Sequence, residues 1–125
     1  MTRYPFAYSG PNRALMGALG MGPASSGVEV DDAAVRVRMG WGFRAELPRS
    51  AIRGAHAQSR LPFLGWGVHG WNGRWLVNGA SRGLVRIDLD PPQRARVTGW
   101  PVRLRELWVS VEDPDGLVAA LGQER

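Results

Sequence analysis

The chain contains no cysteine and no lysine among its 125 residues. The absence of cysteine excludes disulfides, thiolate metal sites and cysteine nucleophiles, and it is compatible with a reducing cytoplasm. All 16 basic residues are therefore arginine, and the net charge is +5. A lysine-free chain rich in glycine, alanine and tryptophan is typical of a GC-rich coding genome. The choice of arginine by itself therefore says little about function.

Acidic residues are missing from a long central stretch of the chain. Residues 47–87 contain no Asp or Glu, and the acids gather instead at residues 29–32 and from Glu106 onward. Six arginines fall inside the acid-free stretch: Arg49, Arg53, Arg60, Arg74, Arg82 and Arg86. This distribution predicts a positive field over the middle of the protein.

Long hydrophobic runs are also absent, and those present are too short to span a bilayer. The first ten residues, MTRYPFAYSG, lack the charged, apolar and small-residue order of a signal peptide. We therefore expect no membrane insertion and a cytoplasmic location. A hydrophobic content of 44% fits one domain over residues 1–125, in which residues 1–27 form a poorly patterned N-terminal segment.

Alternation of apolar and polar residues predicts short strands over most of the chain. VRVRMGWGF keeps period two through residues 35–43, and GLVRIDLD repeats the pattern through residues 83–90. SAIRGAHAQ, at residues 50–58, predicts another short strand. DPPQ predicts a turn, followed by two strands in RARVTG and VRLRELWVSV. About seven antiparallel strands at regular spacing favour a sandwich or open barrel.

The strongest turn signal is Asn72–Gly73, which lies between two tryptophan-bearing segments. Asn-Gly accepts the positive φ angles of a type I′ turn, whose twist matches the flanking strands. The sequence therefore predicts a hairpin with strands near residues 66–71 and 74–78.

The C-terminus changes to a helical pattern over residues 113–122. Asp113 is a suitable N-cap, and Pro114 suits the first helical position. Leu117, Val118 and Leu121 form one apolar stripe. A helix this short does not persist alone, so it must dock on the sheet.

Two motifs resemble catalytic or cofactor signatures. Residues 79–83, GASRG, match G-x-S-x-G, but a hydrolase needs a helix after the motif and a histidine later in the chain. A strand pattern follows Gly83, and both histidines precede Ser81. Residues 65–70, GWGVHG, match G-x-G-x-x-G, but the predicted hairpin turn follows where a dinucleotide site needs a helix. Both motifs are interpreted as turn chemistry.

Metal and acid–base chemistry have few candidate residues. The only histidines are His56, which has no visible partner, and His69, which lies in the tryptophan-rich hairpin. A zinc site needs three or four convergent ligands. Paired carboxylates are absent from the basic region, so general acid–base catalysis lacks candidates. We expect no metal, no cofactor and no enzymatic activity.

Six tryptophans are mostly interpreted as packing residues. Trp108 alternates out of phase with Leu107 and Val109, so it lies on the opposite face of its strand, under the helix or exposed to a partner. Arginine attracts phosphate, and tryptophan stacks on bases. The candidate ligand- or partner-binding residues are Arg53, Arg60, Arg74, Arg82, Trp71, Trp75 and Trp108.

VSVEDPDGLVAAL, together with seven strands and one final helix, resembles the bacterial pleckstrin-homology-like domains. AELPRSAI is similar to the Pro-x-x-x-Ile segment of that family, through Pro48 and Ile52. GVHGWNGRWLVNG is similar to actinobacterial members, and the resemblance covers about residues 28–121. It implies a PH-like open β-barrel or sandwich of about seven antiparallel strands, capped by one C-terminal α-helix.

The resemblance also implies a binding or assembly scaffold without catalytic residues. Eukaryotic relatives often bind phosphoinositides through a basic first loop, whereas the corresponding GMGPASSGVEVDD here carries acids. That activity is therefore not carried over. We expect a binding module for another protein or for a second copy of the chain. The alternative is a binder of an anionic ligand or nucleic acid through the central arginine-rich region.

Overall fold

The computed structural model describes residues 2–8, 14, 17–18, 20, 26–59, 67–71, 73–78 and 82–121. Within these residues one sheet contains nine strands, and a short helix follows the last strand. The elements are β1 (Thr2–Tyr4), β2 (Ser26–Val30), β3 (Ala34–Met39), β4 (Phe43–Pro48), β5 (Ile52–Gln58), β6 (Gly67–Trp71), β7 (Arg74–Asn78), β8 (Leu84–Val97), β9 (Trp100–Ser110) and α1 (Pro114–Ala120). A 3-10 turn, Arg49–Ala51, separates β4 from β5.

The strands follow the order β1-β2-β3-β4-β8-β9-β7-β6, and β5 also pairs with β8. The described neighbours are antiparallel except for β7 and β9, which are parallel. The sheet is curled and open, like half of a barrel. The prediction of a mainly β fold closed by one C-terminal helix is therefore confirmed. The strands are more numerous than the seven expected.

The hairpin and the helix lie where the sequence predicts them. Trp71 pairs with Arg74 across a two-residue turn, and Gly73 in that turn has φ +83°. Asp113 caps α1, because its carboxylate accepts a hydrogen bond from the Gly116 N–H at 3.0 Å. Leu117 of α1 is fully buried in the core.

The stretch 35–43 is a hairpin, so the prediction of one continuous strand is wrong. β3 ends at Met39, and β4 begins at Phe43, which pairs with Met39. Gly40 supplies the turn with φ +53°, which glycine adopts at little cost. Residues 39 and 43 are an even number of positions apart and face the same side. The alternation therefore continues across the turn, and periodicity alone does not show the reversal.

DPPQ does not reverse the chain, contrary to the prediction. β8 continues through it and pairs with β9 on both sides of a register shift between Asp88 and Gln93. Prolines fit at such an irregularity, because the ladder there needs no N–H donor. The reversal comes at Thr98 and Gly99, whose φ angles are +48° and +88°. Positive φ at both positions is the signature of a type I′ turn.

The main core lies on one face of the sheet. Alternate residues of β3 and β4 are buried there, including Val37, Met39 and Phe43, while the residues between them are exposed. The N-terminal segment, which is poorly patterned in sequence, also contributes. At most one strand near residues 14–19 is predicted there, whereas residues 14, 17 and 18 are helical. β1 pairs with β2, and Phe6 is buried in the core. The outward face of β3, β4 and β8 is left to polar side chains.

Candidate functional site

Three arginines form a row across three neighbouring strands. Arg38 of β3 lies directly opposite Arg44 of β4, and Arg44 lies directly opposite Arg96 of β8. Directly opposite side chains have Cβ atoms about 5 Å apart, and like charges in this arrangement destabilise a sheet. All three residues are exposed on the outward face. Packing alone therefore does not explain the row.

The row lies in a groove of about 440 Å³ over β2, β3, β4 and β8. We call it the arginine groove. Two glutamates, Glu29 and Glu46, line it. They are outnumbered by the six arginines that also line it: Arg3, Arg36, Arg38, Arg44, Arg94 and Arg96. The groove is therefore strongly positive.

A glycine allows Arg3 to form part of the groove wall. Gly27 pairs with Arg38, so a Cβ at position 27 would point to the groove side of β2. That Cβ would lie 2.9 Å from Nε of Arg3, closer than real contacts allow. The Arg3 guanidinium also donates to the carbonyl oxygen of Ser26. A side chain at position 27 would therefore displace Arg3.

One arginine of the groove is neutralised by acids. Arg36 forms salt bridges with Asp31 at 2.6 Å and with Glu46 at 3.4 Å. The hydrogen bond from Arg36, helped by the backbone N–H groups of Ala34 and Ala33, lowers the pKa of Asp31 to about 2. Within the described part of the chain, no carboxylate lies within salt-bridge distance of four others: Arg38, Arg44, Arg94 and Arg96.

The unneutralised guanidinium groups suit one kind of chemistry. A guanidinium carries five N–H donors in a planar fork that matches phosphate or carboxylate oxygens in a bidentate way. Arg96 uses one of its nitrogens to donate to the Gly99 carbonyl at 2.9 Å, and its other donors remain for a ligand. Arginine stays charged throughout the physiological pH range, so it does not serve as a general base there. The arrangement is therefore suited to holding anions.

Of the arginines predicted from the sequence, those that the structure describes lie outside the arginine groove. Arg53 is 4.0 Å from Asp90, and Arg74 is 2.9 Å from Glu106. Arg82 donates to the carbonyl oxygen of Tyr8 at 3.2 Å. Arg60 lies outside the described residues. Strand pairing brings acids distant in sequence beside the acid-free stretch, which neutralises part of the expected field.

The two predicted tryptophans whose side chains the structure describes, Trp75 and Trp108, are partly buried and buried, respectively. Trp108 lies on the face opposite Leu107, as predicted, but it is buried, and its N–H donates to Glu106. It thereby meets Arg74 at the same carboxylate. Trp75 is partly buried against the main core. The backbone of Trp71 pairs with that of Arg74. The side chain of Trp71 is not among those that the structure describes.

His56, for which the sequence shows no partner, has one in the structure. Its Nε2 lies 3.6 Å from Asp88, which also binds Arg86. In the described part of the chain, no group of three or more His, Asp and Glu side chains could hold a metal ion. Ser81 of the G-x-S-x-G motif is outside the described residues.

The exposed tryptophans are ones that the sequence interpretation assigned to packing. Trp41 is 60% exposed and Trp100 is 75% exposed. Trp41 lies in the β3–β4 turn, and Trp100 directly follows the β8–β9 turn. The two turns are adjacent, since the Thr98 N–H donates to the Gly42 carbonyl at 3.0 Å. Both tryptophans therefore lie at one end of the sheet.

No family model, no curated protein and no solved structure matches the chain. Among the described residues, no helix has the length and apolar character needed to cross a membrane.

Proposed function

We propose that the chain is a non-catalytic binding module of pleckstrin-homology-like type, which binds a ligand with several negative charges in the arginine groove. One observation carries the proposal. Arg38, Arg44 and Arg96 lie side by side with no described carboxylate to neutralise them. An anion bridging them replaces mutual repulsion with charge-assisted hydrogen bonds. The cytoplasmic location expected from the sequence belongs to the same proposal.

This is the anion-binding alternative of the sequence analysis, at a different set of arginines. The groove uses residues of β3, β4 and the second half of β8, whereas the sequence interpretation favoured the acid-free stretch. The arginine groove suits a ligand with neighbouring phosphate or carboxylate groups, because several arginine side chains line the same cavity.

The test is calorimetric titration of the protein with inorganic tripolyphosphate at about 50 mM and about 200 mM salt. We expect saturable binding at the lower concentration and much weaker binding at the higher one, since exposed charges are screened by salt. Neutral triethylene glycol serves as the control ligand and should give no heat of binding. Absence of tripolyphosphate binding at low salt would contradict the proposal.

A protein partner, the first function expected from the sequence, is favoured by a separate observation. Trp41 and Trp100 expose large apolar side chains, and tryptophan is enriched in the centre of protein interfaces. Such an association would tolerate salt, whereas the anion site would not. The two functions therefore give opposite salt responses.

A further inference from the structure

The exposed tryptophans lie next to the arginine row. Phe43 pairs with Val97 between the two adjacent turns, and Arg44 pairs with Arg96 one residue further into the sheet. One residue of a strand corresponds to about 3.3 Å. Trp100 is the direct partner of Val97. Trp100 therefore shares the face of Phe43 and Val97, whereas the guanidinium groups lie on the other face. A flexible ligand reaches both by passing round this end of the sheet.

The Trp41 ring has Gly20 beside one edge, while most of the residue remains exposed. Gly20 lies against the edge of the indole, where a Cβ on residue 20 would be 3.1 Å from Cδ1. The short turn between Gly40 and Gly42 presents Trp41 at its tip. An exposed indole at this position offers a flat face on which a planar ligand can stack.

The presence of both guanidinium groups and exposed indoles favours one class of anion over the others. A simple polyphosphate or an acidic peptide uses the guanidinium groups but gains nothing specific from two exposed indoles. Single-stranded nucleic acid has a phosphate backbone and free base faces, which match a positive groove with aromatic side chains beside it. A duplex keeps its base faces stacked internally, so it cannot use the indoles without unstacking.

We infer that the ligand of the arginine groove is single-stranded nucleic acid, whose phosphates contact Arg38, Arg44, Arg94 and Arg96 and whose bases stack on Trp41 and Trp100. This inference rests on the proposed function of the same groove. Four phosphate contacts give a slope of log affinity against log salt of about −2.8 for a single strand. Affinity therefore falls about fiftyfold between about 50 mM and about 200 mM salt.

The test is fluorescence anisotropy with labelled oligonucleotides of about 12 nucleotides, a length within the usual site sizes for single strands. The probes are oligo-dT, oligo-rU, an abasic strand of equal length and charge, and a duplex. The full chain is compared with Trp41→Ala/Trp100→Ala. Both substitutions replace exposed residues, and circular dichroism checks that the fold is kept.

We expect oligo-dT or oligo-rU to bind at least about tenfold more tightly than the abasic strand, since stacking on one aromatic side chain is typically worth that much. The double variant should lose this preference while its affinity for the abasic strand stays unchanged. A difference between oligo-dU, added as a fifth probe, and oligo-rU shows whether the groove contacts the 2′-hydroxyl and so prefers DNA or RNA.

Three outcomes would overturn the inference. Equal affinity for base-bearing and abasic strands would leave an anion groove without base recognition, so the proposed function would survive alone. Equal or tighter binding of the duplex would assign the groove to another nucleic acid geometry. No binding to any strand, with tripolyphosphate also inactive, would remove the proposed function as well and leave the tryptophans to a protein partner.

Discussion

Replacement of Arg38 and Arg44 by serine lowers the affinity for tripolyphosphate about a hundredfold at low salt, and Arg44→Ser alone lowers it about tenfold. Each arginine contributes about 1.4 kcal/mol to binding. That value lies between an exposed ion pair, about 0.2–1 kcal/mol, and a charge-assisted hydrogen bond, about 1.5–3 kcal/mol. An intermediate value fits exposed arginines that line one groove.

The same substitutions should not destabilise the fold. Arg44 lies between two like charges, and directly opposite like charges are unfavourable in a sheet. Arg44→Ser therefore leaves the free energy of unfolding within about 0.5 kcal/mol of the wild type or raises it. Urea denaturation measures this. A loss of binding with unchanged stability separates a binding role from a structural one.

Arg53→Ser is the matched control for charge. It removes one positive charge from an exposed residue that does not line the groove. Its affinity for tripolyphosphate should stay within about twofold of the wild type, because remote charges are screened beyond about 10 Å at 0.1 M salt. If Arg53→Ser weakens binding as much as Arg44→Ser, the site does not lie in the arginine groove.

Gly83→Ala lowers the free energy of unfolding by about 2–5 kcal/mol. Gly83 has φ +67°, and a Cβ at this position would overlap the carbonyl oxygen of Val111. Left-handed backbone costs an L-residue about 1–2 kcal/mol, and overpacking adds about 1–3 kcal/mol. The Val111 N–H donates to the Gly83 carbonyl at 2.8 Å, so neither segment can move freely away.

Gly99→Ala is the control for this prediction. Gly99 also has a positive φ, +88°, but a Cβ there meets no atom within 4 Å. It should cost only the backbone strain, about 1–2 kcal/mol. The difference between the two variants in urea denaturation measures the clash with Val111. Equal losses of unfolding free energy in the two variants would show that the approach of Val111 does not require glycine at position 83.

The packing around Gly83 also explains why the G-x-S-x-G motif ends in glycine. The last glycine of that motif is required where the chain enters β8 beside Val111, and a strand follows it. A nucleophile elbow requires a helix at this point. Glycine is therefore needed at position 83 for packing, which agrees with interpreting the motif as a turn.

The sequence predicted correctly the turn and the helix cap, because each of these depends on a few neighbouring residues. Asn72–Gly73 and Asp113–Pro114 each contain the residues that their turn or cap needs, and both elements form where predicted. The alternation in β3, β4 and β8 also identified the buried face correctly. It did not show the reversal at Gly40, because an even spacing keeps residues 39 and 43 on one face.

The site depended on pairing between distant strands. The alternation in residues 35–43 places Arg38 and Arg44 on a polar face, but such a face is usually only solvated. The structure shows in addition that Arg96, more than fifty residues later in the chain, lies directly opposite Arg44. Strand order likewise places Glu106 beside Arg74 and so neutralises a predicted site residue. Neither pairing follows from local periodicity.

Anion binding in the arginine groove can be observed at each arginine through its Nε–Hε signal in a nuclear magnetic resonance titration with tripolyphosphate. Single Arg→Ser variants assign the signals. We expect saturable shifts for Arg38, Arg44 and Arg96, with Arg53 and Arg74 unchanged. Shifts confined to Arg53, Arg74 and Arg82 would contradict this expectation and place the anion site in the acid-free central stretch.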